Sequence, residues 1–229
     1  MTTALTRVMT AMRAEAEPAR DCALCPRLVE YRRENARDEP RWFNGAVPSF
    51  GDPDARLLIV GLAPGRTGAN RTGRPFTGDW AGDLLYPTLA RYGLSAGTFD
   101  VNGEDDLRLT GAMITNAVRC VPPQNKPVGQ EMNNCRPFLA ARIAALPNLK
   151  AVVALGGIAH QNTFKALGLR HGAYRFAHGA RHDVAGPNGP LAIFDSYHCS
   201  RYNTNTGRLT EAMFHAVFEQ ASAYVRAAG

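Results

Sequence analysis

Five cysteines in 229 residues are the first positions whose types and spacing could do chemistry. Cys22 and Cys25 form a C-x2-C pair, 14 residues separate Cys120 from Cys135, and Cys199 stands beside His198. Thiolates bind soft metals, so Cys22, Cys25, Cys120 and Cys135 read as the four ligands of one metal site. The spacing fits structural zinc and an iron–sulfur cluster about equally. Residues 1–20 mix Arg7, Arg13, Glu15 and Glu17 among alanines, which is not a secretory pattern. The chain is therefore expected in the cytoplasm, where thiols stay reduced and a disulfide framework does not form.

Three polar loops hold the remaining candidates: GLAPGRTGANRTGRPFTGD (61–79), NAVRCVPPQNKP (116–127) and HCSRYNTNTGRLT (198–210). Within the first, the stretch from Gly68 superficially matches a phosphate-cradling loop. Arg74 replaces its lysine, however, and Pro75 its magnesium-binding hydroxyl, so a nucleotide hydrolase is poorly supported. No G-x-G-x-x-G with a following acid supports a dinucleotide site either, and no nucleotide cofactor is expected. Asn116 offers a carbonyl and an amide, an acceptor and a donor side by side, although a turn or cap would use it equally well. Ser200, Arg201 and Tyr202 carry hydroxyls and a positive charge suited to a phosphate-bearing partner; a polar capping loop would look similar.

These loops must be positioned by an alternating array of strands and helices. Apolar, β-rich runs at 56–61, 112–118, 150–155 and 191–196 alternate with helical patterns at 80–92, 129–146, 158–167 and 207–227. Parallel neighbours need crossovers that helices supply. The expected fold is a single-domain three-layer α/β/α of residues 1–229, with a central four-stranded parallel sheet. Residues 1–50 form an N-terminal segment carrying Cys22 and Cys25, with helices at 5–16 and 30–39. Ligands in such sheets bind beyond the carboxyl ends of the strands, where the three loops lie. The apolar runs are of strand length and too short for a membrane span. The net charge of +6 suits a polyanionic partner, though a solvated basic surface gives the same number.

Together GLAPG, GRPFTGD, NAVRCVPPQNKP and HCSRYNTNTGRLT resemble the uracil-DNA glycosylase superfamily, most closely its type 5 (B) branch, whose members share an iron–sulfur cluster. The likeness runs from Cys22 to about Met213. It implies hydrolysis of the N-glycosidic bond of uracil in DNA, leaving an abasic site, with water as nucleophile and no lyase step. A roomier pocket in this branch implies activity on hypoxanthine and 5-substituted uracils too.

The resemblance also implies roles. Such enzymes flip the nucleotide into a pocket, stack it on an aromatic ring and read its polar edge. Phe76 matches the stacking residue and Asn116 the base reader, while Gly61, Ala63 and Gly65 belong to the substrate-binding loop. His198 matches the residue that donates to the pyrimidine carbonyl where negative charge gathers, and Asn203 its companion. Leu62 stands where many branches carry an acid or asparagine, so Asp79 matches the group assigned to water or the oxocarbenium-like charge. An N-cap for the helix starting at Trp80 is its plain structural role. Cys199 is expected to leave an oxidisable thiol near the site. The resemblance assigns a 4Fe-4S cluster to Cys22, Cys25, Cys120 and Cys135. DNA is the implied partner and a monomer suffices for one flipped base. The rival from another class is a non-catalytic, metal-containing DNA-binding module that recognises damaged DNA without releasing a base.

Overall fold

The computed structural model describes residues 16–228. The helix expected at 5–16 therefore lies outside the described residues, apart from its last position. Helix α1 (Pro26–Asp38) starts directly after Cys25. Proline at the first helical position has its φ already set and lacks an N–H that would go unpaired there, so this helix begins a turn before the expected 30–39.

Next come β1 (Phe50–Gly51), β2 (Leu57–Gly61), α2 (Ala69–Thr72), α3 (Trp80–Arg91), β3 (Ser95–Ala96), β4 (Arg108–Leu109) and β5 (Ala112–Asn116). A 3-10 turn at Pro123–Asn125 leads to α4 (Gly129–Ala144), β6 (Ala151–Leu155) and α5 (Gly157–Ala166), and a second one follows at His171–Ala173. The chain closes with β7 (Arg181–Gly186), β8 (Gly189–Ser196), α6 (Arg201–Asn205) and α7 (Glu211–Ala227). The last helix starts at Glu211 rather than at 207, because Thr210 caps it by accepting from Met213 N and α6 occupies the loop before it.

The main sheet has six strands in the order β1-β5-β2-β6-β8-β7, not the four expected. The four expected strands are its parallel centre, β5-β2-β6-β8. Both extra strands are antiparallel edges. Their sequences hide them for different reasons. β1 is only two residues long, and β7 alternates exposed and half-buried positions with charge at Arg181 and Asp183, so neither carries an apolar run.

Central strands are buried on both faces. Leu57 and Ile59 of β2 join Val153 and Phe194 in a core covered by Leu85 and Leu89 of α3 and by Phe214, Val217, Phe218 and Ala221 of α7. Leu58 and Val60 face the other way, onto Leu139 and Ile143 of α4 and Phe164 of α5. The period of two along each strand thus feeds two cores, which is why these segments read as continuous apolar runs. No helix among the described residues is long and apolar enough to cross a membrane.

One polar knot ties the N-terminal segment to this sheet. Arg119, past the end of β5, has a side chain only 1% exposed. It donates to Glu17 Oε2 at 2.8 Å, Val47 O at 3.1 Å, Ser49 Oγ at 2.9 Å and Ala16 O at 3.3 Å. Arg142 of α4 donates to the other Glu17 oxygen at 2.6 Å. Burial opposes ionisation of Glu17, yet Arg119, Arg142 and Ser49 hold its carboxyl below the ordinary value of 4.5. Removing the carboxylate would leave buried positive charge uncompensated, a loss of roughly 3 kcal/mol. We expect Glu17→Gln to lower the melting temperature by several degrees at neutral pH. Because the folded pKa is depressed, this contribution is complete above pH 4.5 and disappears as pH falls through the folded value. Paired thermal melts from pH 7 downward should therefore converge.

Candidate active site

The loops that follow β2, β5 and β8 enclose a cavity of about 470 Å³ at the carboxyl ends of the parallel strands. That size suits a small organic group. Ala63, Gly65, Phe76, Asp79, Asn116, His198, Ser200, Arg201 and Tyr202 all line it.

Phe76 holds a left-handed backbone, φ 56°, which an L-residue adopts only under constraint. The constraint is close packing. A Cβ on Gly61 would collide with the Phe76 ring and with Asn116 Oδ1. Gly61 does not itself line the cavity; its lack of a side chain lets those two groups converge over it. Asn116 ends β5 directly opposite Gly61 in register and is 3% exposed. Among the described residues its amide has no hydrogen-bond partner, so both its donor and its acceptor are available to a ligand.

Asp79 caps α3, accepting from Ala81 N at 3.1 Å through Oδ1. Its second oxygen lies against Gly65 and Gly68, where any Cβ on Gly68 would overlap it. The capping role and a place in the cavity wall thus coexist. Burial pushes the Asp79 carboxyl up, against the pull of its backbone hydrogen bonds to Ala81 and Gly82. His198 faces the Phe76 ring with centroids 5.9 Å apart and planes 26° from parallel. Burial pushes its imidazole down to about 4, so it is neutral at ordinary pH. Among the described residues no protein group bonds either ring nitrogen.

Asn203 lies behind the cavity. Its Nδ2 donates to His198 O at 2.8 Å and its backbone N–H donates to Ser200 Oγ at 3.4 Å, so it shapes the His198 loop from outside the lining. Cys199 is fully buried in the core, and burial, with Asp79 nearby, drives its thiol strongly upward. The expected oxidisable thiol is therefore closed off from solvent by the apolar core, although it lies within reach of the Asp79 charge. Arg74, which breaks the phosphate-loop pattern, is taken up by a bidentate pair with Asp105 at 2.7 and 2.6 Å.

Trp80 and Asn125 also line the cavity and were not anticipated. Trp80 donates from Nε1 to Thr204 Oγ1 at 3.1 Å and lies 5.6 Å from the Arg201 guanidinium, which joins two loops at the rim. Its position directly after a capping aspartate was the available signal. Asn125 stands at φ 57°, after Gln124 at φ 56°, in a turn the prolines announce. Behind that turn Arg27 donates to Lys126 O at 3.0 Å and pairs with Glu131, which in turn accepts from Val128 N at 2.8 Å.

The four cysteines converge from three elements: Cys22 and Cys25 before α1, Cys120 after β5, and Cys135 on α4, packed with Leu28, Ala46 and Val118. N–H groups point at the sulfurs, from Arg32 to Cys120 at 3.5 Å, Arg119 N to Cys135 at 3.3 Å and Asn134 to Cys25 at 3.6 Å. Burial pushes the Cys120 thiol up to about 12 and Cys135 up to about 11, so thiolates here need a cationic partner. Cys135, Cys22 and Cys25 each add to the rise at Cys120, so the four sulfurs form one group of the kind that holds a thiolate-bound metal ion or cluster.

Comparison with known proteins agrees with this geometry. The sequence model of the Uracil DNA glycosylase superfamily matches residues 48–222. A type-5 uracil-DNA glycosylase of Thermus thermophilus is 48% identical over 206 residues, covering 87% of this chain and 92% of the relative. Another type-5 enzyme, from Pyrobaculum aerophilum, is 40% identical over 89% of this chain and 88% of its own length. A type-4 uracil-DNA glycosylase of the same organism is 34% identical over 67% and 65%. The match is thus both stronger and longer to type 5, and this chain belongs to the uracil-DNA glycosylase superfamily, in its type-5 branch.

Proposed function

We propose that this chain is a DNA-repair glycosylase that hydrolyses the bond between uracil and deoxyribose in DNA. The observation that carries the reading is the convergence of Phe76, Asp79, Asn116 and His198 on one cavity, with an unpartnered amide and a neutral imidazole among them. The type-5 relatives supply the substrate class.

In this reading the flipped base stacks on Phe76, whose left-handed backbone is held by close packing around Gly61. Asn116 accepts from the base N–H and donates to a carbonyl. As the C1′–N1 bond breaks, its electron pair passes into the base, and His198 donates an N–H to the oxygen that gathers the charge. A neutral imidazole stabilises that anion without having to transfer a proton. Asp79 accepts a proton from the water that adds to C1′, and its carboxylate steadies the positive sugar. Leu62 can do neither. Ala63 and Gly65 offer backbone to the base or phosphate, while Ser200, Arg201 and Tyr202, the last 72% exposed, meet DNA at the rim. Among the described residues no lysine lines the cavity, which favours simple hydrolysis to an abasic site over a covalent Schiff-base step. The cavity's volume leaves room for hypoxanthine or 5-substituted uracils.

A 4Fe-4S cluster on Cys22, Cys25, Cys120 and Cys135 fits this N–H-lined set of four thiols. When bound it supplies a structural crosslink, joining the N-terminal segment to the loop after Asn116. We place the enzyme in the cytoplasm, acting as a monomer on one flipped base.

Duplex oligonucleotides with one uracil test the reading. Alkali-dependent cleavage at that site by cluster-loaded protein is expected, and retained DNA binding with no base release would favour the non-catalytic module. His198→Ala should slow single-turnover cleavage by about 10²–10³-fold, the usual loss for one oxyanion donor. The pH profile assigns Asp79. Its raised carboxyl should set an acid limb above the ordinary value of 3.8, since the form that accepts a proton is lost as pH falls through the folded pKa. Asp79→Asn should lower the rate and abolish that limb; an unchanged limb would remove Asp79 from the chemistry. Iron and acid-labile sulfide should be present in equal amounts, and Cys120→Ser should lose both.

A further inference from the structure

Outside the cavity lining, three chemistry-bearing side chains that the reaction does not use meet between two strands of the sheet and a helix. His160 comes from α5, His182 from the edge strand β7 and Asp195 from β8. One ligand atom from each lies within 4.8 Å of the others. His160 Nδ1 is 2.8 Å from Asp195 Oδ1, and His182 Nε2 is 3.1 Å from Asp195 Oδ2.

The second nitrogen of His160 is already engaged: Nε2 stands 2.9 Å from Tyr174 O, a carbonyl that can only accept, so Nε2 carries a hydrogen. That leaves Nδ1 as the nitrogen that can ligate an ion, beside a fully buried Asp195 carboxylate that can ligate the same ion. Imidazole bound to metal through one nitrogen, with its other N–H on a backbone carbonyl, is the usual arrangement of a metal-ligating histidine and its supporting partner. Phe164 and Phe176, with ring centroids 4.5 and 5.6 Å from that of His160, wall off the interior side. His182, with a side chain 13% exposed, leaves a route from solvent and a place for a water ligand.

We propose that His160, His182 and Asp195 form a second metal site, distinct from the cysteines, that takes a divalent transition ion of the zinc class. Two imidazoles and one carboxylate with an open position suit such an ion. The site is structural. Asp195 lies three residues before His198, its backbone carbonyl accepts from Gly179 N at 2.8 Å, and His178 Nδ1 accepts from Tyr197 N at 3.1 Å. A bound ion would thus clamp the segment around 174–179 to the strand that delivers His198.

The test uses the full chain with its cysteine site filled, and is independent of the glycosylase reaction. After incubation with Co²⁺ and desalting, the protein should retain one further equivalent showing ligand-field absorption without thiolate-to-cobalt charge transfer. Zn²⁺ should raise the melting temperature, and His182→Ala, on an exposed edge strand, should lose both effects. Wild-type protein that retains no cobalt beyond the cysteine site overturns the proposal, leaving a proton as the cation between His160 and Asp195. So does binding that survives both His182→Ala and Asp195→Asn. Should Asp195→Asn fail to fold, the wild-type metal count and His182→Ala still decide.

Discussion

The burial of Arg119 is the constraint on which most of the molecule depends. A guanidinium removed from water needs partners, and here residues 16, 17, 47 and 49 meet Nη1 and Nη2, while Nε has none among the described residues and the backbone N–H points at Cys135. The residue sits between Val118 and Cys120, just past the strand that ends in Asn116. One side chain therefore sets the path of the N-terminal segment, the approach of the cysteines and the exit of the loop beside the base reader. Such a residue contributes specificity more than net stability, because its desolvation cost is nearly as large as what its partners return.

The cavity is built by the same economy of close approach. Gly61 and Gly68 carry no side chain where Asn116, Phe76 and Asp79 need the space, and the strained Phe76 backbone is a result of that packing. Each of the three loops is then held from behind by something outside the cavity: Asn203 beneath His198, Arg27 and Glu131 behind Asn125, the α3 N-terminus beneath Asp79. At His198 and Asn125 these supports act on the backbone, whereas Asp79 is held through one carboxylate oxygen and keeps the other against Gly65 and Gly68.

How much of this was legible in the sequence follows from the length scale of each interaction. The four parallel strands and their covering helices were readable, since burial on both faces leaves continuous apolar runs. The two edge strands were not, because β1 is too short to carry a pattern and β7 is half solvated. Motifs on single loops pointed to Phe76, Asp79, Asn116 and His198, all of which meet. Gly61 and Asn203 shared those motifs yet stand behind the lining, and only the fold distinguishes a residue that faces the cavity from one that makes room for it. Cys199 illustrates the same limit: adjacency to His198 in the chain put its thiol near the site, where the charge of Asp79 does reach it, but only the fold shows that it is buried from solvent. The Arg119 knot joins residues about 100 positions apart and left no local trace.

The modest form of β7 has a consequence of its own. A six-stranded sheet offers two open margins, and an unpaired margin of apolar strand is a template on which other chains assemble. Here one margin is two residues long, and the other presents Arg181 and Asp183, paired with each other at 2.7 Å, to water. Charge at that margin discourages edge-to-edge stacking and so guards against aggregation, at the cost of the apolar signature that would have announced the strand.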